Sequence, residues 1–138
     1  MTDTSTVKKK LKGIGPILWI NLDTETERQK HMINLLDFYE INHTRISAVD
    51  GRWNNDVSEF LIGRWPELIT SGELACTMSH LKAIKYFYEQ TDLDYIIICE
   101  DDIVFDTVAH WPFTWNGFMS NAPYDWDVLQ CAITSTKN

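Results

Sequence analysis

Between Tyr95 and Phe105 an apolar run stops on three consecutive carboxylates: Tyr95 to Cys99 is followed directly by Glu100, Asp101 and Asp102. A continuous run rich in β-branched residues reads as a strand buried on both faces, as in the parallel sheet of an α/β fold. Open α/β sheets bind ligands outside the carboxyl ends of their strands, and the acidic triplet falls at that end. Alternation along an extended chain puts Glu100 and Asp102 on one side, with Asp101 opposed. Two convergent carboxylates suit a hard divalent cation held partly by substrate phosphates. A solvated acidic turn after a strand is the other reading of the same triplet.

The preceding sequence supplies the rest of a βαβ arrangement. Ile17 to Leu22 reads as a first strand, with Asn21 as the polar exception near its carboxyl end. Thr24 and Glu27 match a capping box, so a helix is expected there, with Met32, Leu35, Leu36 and Tyr39 as its apolar stripe. Arg28 lies in the first turn. It is a candidate clamp for a phosphate or carboxylate, or else a surface Arg paired with an acid of its own helix. Thr44 to Val49 reads as a second strand ending on the turn Asp50-Gly51. Asp50 is therefore either a hydrogen-bonding partner for a ribose or base, or only a turn former.

Arg52 to Thr70 reads as a long loop with one short helix near Val57 to Ile62, in which Trp53 and Trp65 either stack on a ligand or pack. Ser71-Gly72 opens the strongest helix, Glu73 to Gln90. Its expected buried face is Leu74, Met78, Leu81, Ile84 or Lys85, and Tyr88. Ser79, His80 and Lys82 lie within it. Thr107 to Ser120 is expected to be an irregular helix, and Trp126 to Ile133 a further strand.

At 138 residues the chain is expected to form one core. A formal charge of -8 argues against a nucleic-acid partner. Cys76, Cys99 and Cys131 are widely spaced and form no CxxC pair, so buried, reduced thiols in a cytoplasmic protein are expected. The first residues carry Lys8, Lys9, Lys10 and Lys12 and are expected to be a frayed, solvated leader. Neither a signal peptide nor a membrane-spanning run is visible.

Taken in order, several stretches resemble the family 25 glycosyltransferases. They are Ile20-Asn21-Leu22-Asp23, Glu27-Arg28, Ala48-Val49-Asp50-Gly51, Gly72-Glu73-Leu74-Ala75-Cys76, Ser79-His80-Leu81-Lys82-Ala83, and Ile97 to Ile103 around Glu-Asp-Asp. That family includes bacterial lipooligosaccharide galactosyltransferases and collagen hydroxylysine galactosyltransferases. The resemblance spans Ile17 to Ile133. It implies a GT-A-like (Rossmann-like) nucleotide-sugar-binding domain over residues 17–138, a mostly parallel sheet flanked by helices, after a basic leader at 1–16. The implied reaction is an inverting transfer of a hexose from a UDP-sugar, usually UDP-galactose and sometimes UDP-glucose. The implied acceptor is a lipooligosaccharide-type glycan or a hydroxylysine-type side chain, and the implied cofactor is Mn2+ or Mg2+. Carried over residue by residue, Glu100 and Asp102 would flank the metal. Asn21, Arg28, Asp50 and Asp101 would serve the donor, with Ser79, His80 and Lys82 on the adjacent helix.

The family's domain continues past the last residue here, so the N-terminal, donor-binding part of that domain is expected. Three functions stay open at this point: a transferase, a shortened nucleotide-sugar-binding module without turnover, and a metal-dependent phosphohydrolase needing further ligands.

Overall fold

The computed structural model describes residues 3–52 and 68–131. The chain runs through α1 (Thr4–Leu11), β1 (Ile17–Asn21), α2 (Thr26–Phe38), β2 (His43–Ser47), α3 (Ser71–Gln90), β3 (Ile97–Glu100) and α4 (Trp115–Ser120). A 3-10 turn at Val108–His110 separates the last two. The strands form one parallel sheet in the order β2-β1-β3, flanked by helices in a Rossmann-like arrangement.

All five residues of β1 are buried, because helices cover both faces of this central strand. Ile17 and Trp19 meet Met32 and Leu36 of α2 and Val7 and Leu11 of α1. Leu18 and Ile20 point to the opposite layer, where Ala83 of α3 and Ile46 of β2 lie. The buried Trp19 indole still finds an acceptor: Nε1 donates to Nδ1 of His43 at 3.0 Å. That bond leaves the His43 ring proton on Nε2, which donates to Asp37 Oδ1 at 3.2 Å.

The basic leader departs from expectation. It forms α1, in which Val7 and Leu11, four residues apart, share one buried face while Lys8 and Lys9 stay in solvent. Lys10 Nζ donates to the carbonyl oxygens of Ala109, at 2.7 Å, and Trp111. Gly13, at φ +84°, takes the left-handed conformation that ends the helix.

Other boundaries moved for local reasons. The box expected at Thr24 and Glu27 does not cap α2, whose N-cap is Glu25 without a side-chain cap bond. The capping box sits instead at α3, where Glu73 N donates to Thr70 Oγ1 and Thr70 N to Glu73 Oε2. On α3 the buried face is Leu74, Ala75, Met78, Ser79 and Ala83, while Leu81, Ile84 and Tyr88 are exposed. The small residues Ala75, Ser79 and Ala83 recur every four positions, and they let the helix approach the sheet closely.

The acidic strand β3 is only half-buried, because it borders the described sheet on one side while β1 holds the centre. The irregular helix expected over Thr107 to Ser120 is the 3-10 turn followed by α4. Residues 126–131 carry no strand, and the remainder of the strand expected at Trp126 to Ile133 lies outside the described residues. The short helix expected at Val57 to Ile62, and Trp53 and Trp65, also lie outside them. No helix among the described residues is long and apolar enough to cross a membrane.

Candidate functional site

The strand order reverses at β1. From it the chain moves through α2 to β2 on one side, then through α3 to β3 on the other. Such a switch point opens a crevice at the carboxyl ends of the two diverging strands. A cleft of about 390 Å³ lies there. Its walls are the end of β1, the first turn of α2, the turn after β2, the first half of α3 and the end of β3.

The register Ile20↔Glu100 brings Asn21 beside Asp101. Asn21 is buried and fully engaged. Its Nδ2 donates to Asp101 Oδ2 at 2.6 Å and to Glu25 O at 3.2 Å, and its Oδ1 accepts from Arg45 Nε at 2.9 Å. Asp101 is buried too, and its second oxygen accepts from Arg28 Nη1 at 2.9 Å. The Arg28 side chain remains 54% exposed. It is thus anchored at one nitrogen while other donors of the guanidinium stay open toward the cleft, an arrangement suited to an oxyanion.

The turn after β2 forms the opposite wall. Asp50 accepts from Arg52 N at 3.0 Å and from Arg52 Nε at 2.8 Å. These bonds pull the Asp50 carboxyl down to about 2 and push the Arg52 guanidinium up. Gly51 passes so close to α3 that a Cβ there would stand 2.6 Å from the Ser71 carbonyl oxygen. The opening residues of α3, Ser71 and Gly72, line the cleft, and a helix N-terminus favours an anion. Ser79 is buried, accepts from Val49 N at 2.9 Å and donates to Ala75 O at 2.7 Å, so its hydroxyl holds this turn against α3.

Of the residues singled out from sequence, Asn21, Arg28 and Asp50 meet in the cleft, together with Ser79, His80, Glu100 and Asp101. Lys82 and Asp102 are not among its walls. Lys82 Nζ donates to Ser47 O at 2.8 Å, and Asp102 is exposed. The strand alternation expected through the acidic triplet ends at Glu100, where a turn begins. Adjacent Glu100 and Asp101 therefore both reach the cleft.

Sequence reasoning passed over Cys76 and Arg52 as site residues. Cys76 was expected to be buried, yet it is exposed and its Sγ lies 3.4 Å from Glu100 Oε1. Cys131 is exposed as well, and Cys99 is half-buried. Burial first, then the neighbouring Asp102, Asp101 and Glu100, push the Cys99 thiol up to about 12. The i, i+4 spacing of Cys76 and His80 was the available signal for Cys76. Its nearness to Glu100 depends on how α3 packs beside β3.

Fold and cleft together define a Rossmann-like α/β domain with a ligand crevice at its switch point. The sequence matches glycosyltransferase family 25 (LPS biosynthesis protein) over residues 15–112, and the chain belongs to that family. The matched stretch runs from before β1 to past the 3-10 turn, and so contains every wall of the cleft. No curated protein and no solved structure matches the chain. Membership in the family implies a nucleotide-sugar donor and a glycan acceptor.

Proposed function

We propose that this chain binds a UDP-sugar, UDP-galactose in the first instance, in the switch-point cleft. From there it transfers the hexose to a lipooligosaccharide-type glycan in the cytoplasm. The observation that carries this reading is the anchored, half-exposed Arg28, which lines one cleft with the N-terminus of α3 inside the family-matched region. Both features attract a diphosphate. Arg28 is held in place by buried Asp101, and Asp101 by Asn21, so the guanidinium is pre-oriented before the donor arrives. Asp50, ionised and fixed by Arg52, is set to accept from ribose or base hydrogen-bond donors.

The family's divalent cation fits the chemistry of the strand end. Glu100 and Asp102 are exposed carboxylates offering oxygen ligands, whereas Asp101 between them is engaged by Asn21 and Arg28. Glu100 would hold Mn2+ or Mg2+ from the cleft wall, with the exposed Asp102 turning in from solvent as a second ligand, and the ion when bound would neutralise charge on the leaving diphosphate.

Calorimetric titration of UDP, with and without Mn2+, tests the reading. Binding to the parent protein is expected, and Arg28→Ala should weaken it by about 10–100-fold, as loss of a charge-assisted bond does. No UDP binding in either condition would overturn it. Binding without sugar transfer to any glycan would leave a nucleotide-sugar-binding module.

A further inference from the structure

Cys76, His80 and Glu100 converge on the wall of the cleft from two elements. Cys76 and His80 are four residues apart on α3 and share a face, and Glu100 ends β3. A single oxygen, Glu100 Oε1, receives both contacts: Cys76 Sγ at 3.4 Å and His80 Nε2 at 3.3 Å. The three ligand atoms all lie within 4.8 Å of one another.

With Zn–S at about 2.3 Å and Zn–N and Zn–O at about 2.0–2.2 Å, a tetrahedral site places its ligand atoms about 3.3–3.6 Å apart. The two edges that meet at Glu100 are already close to that length. Closing the third asks only for rotation of accessible side chains, since Cys76 is exposed and the His80 and Glu100 side chains are 40% and 52% exposed. The donor set is a thiolate, an imidazole and one carboxylate. It suits Zn2+ or Co2+ far better than Mg2+ or Mn2+, which favour oxygen ligands.

We propose that Cys76, His80 and Glu100 form a Zn2+ site whose fourth position opens to the cleft. Binding releases the thiol proton to solvent, and the imidazole binds through the Nε2 lone pair with its proton on Nδ1. The site shares Glu100 with the donor-side cation proposed above, so the two ions would compete for that carboxylate. Cys76 and His80 belong to the Zn2+ site alone, and metal binding without nucleotide reads it separately from donor binding.

Titration of the full 138-residue chain with Co2+, in the absence of nucleotide, tests it. The expected result is one equivalent of bound Co2+ with a thiolate-to-cobalt charge-transfer band and tetrahedral d–d bands, all displaced by Zn2+. The charge-transfer band should vanish in Cys76→Ser and persist in Cys131→Ser. His80→Gln and Glu100→Gln should each weaken Co2+ binding by about tenfold or more. A circular-dichroism spectrum unchanged by Cys76→Ser separates ligand loss from misfolding. If that variant does not fold, the His80 and Glu100 variants decide. Absence of the band in the parent protein would overturn the proposal. So would its survival in folded Cys76→Ser, or Co2+ affinity unchanged in both other variants.

Discussion

Asp101 accepts from Asn21 and Arg28 in a buried position, while its neighbour Asp102 stands in solvent. Removing the first carboxylate leaves buried Asn21 Nδ2 with only the longer of its two bonds, to Glu25 O, so Asp101→Ala should cost about 1–3 kcal/mol of stability. The half-exposed Arg28 adds little to that figure. Asp102→Ala should stay within about 0.5 kcal/mol of the parent. Urea unfolding followed by tryptophan fluorescence compares the two, and equal losses would contradict the burial described here.

Asp50 gives a pH test. Its folded-state pKa lies below the ordinary carboxylate value because Arg52 bonds the charged form. The stabilisation is therefore fully present above about pH 4, the unfolded value, and fades as pH falls through about 2. In Arg52→Ala the Asp50 carboxyl should titrate near its ordinary value of about 3.9, read from its carbon chemical shift by NMR. An unmoved midpoint would dissociate the pair. At this scale the sequence singled out Asn21, Glu100 and Asp101, which the fold brings to one cleft. It paired Glu100 with Asp102 by alternation, whereas Glu100 and Asp101 line the cleft, because alternation holds only while the strand lasts and β3 ends on Glu100.

Elements were legible where one pattern acted alone. The apolar run of β1 and the onset of α3 at Ser71 are local facts of sequence. Burial of α1 was not, because four lysines outweighed one Val–Leu pair whose partner surface lies on Met32, Leu36 and Val108. Nor could the half-buried state of β3 be read, since periodicity does not distinguish a central from a bordering strand. Gly51 shows what element packing demands. A Cβ there meets the backbone of Ser71, not a flexible side chain, so either the turn after β2 or the start of α3 must shift. Gly51→Ala should cost about 1–3 kcal/mol and weaken UDP binding together with it, because both displaced segments line the cleft. Thermal melting and calorimetry on the same variant check this, and a parent-like melt would show that the approach is looser than described.

Across the molecule, stability should concentrate on β1, which is paired on both sides and covered on both faces. Amide hydrogen exchange is expected to be slowest at Leu18, Trp19 and Ile20 and faster along the half-buried β3. Faster exchange at β1 than at β3 would mean that the sheet does not open as one unit around its central strand.

The lysine of α1 that grips carbonyls in and just after the 3-10 turn has a temporal consequence. Lys10 and its acceptor at Ala109 are 99 positions apart. An eight-residue helix is unstable by itself in water, and although Trp19, Met32 and Leu36 are made earlier, the surface that α1 packs on is completed only when Val108 has been synthesised. At ordinary translation speeds that interval is roughly 5–20 s. Throughout it the packing of Val7 and Leu11 stays incomplete, leaving them more open to chaperones and proteases at the ribosome than in the folded chain.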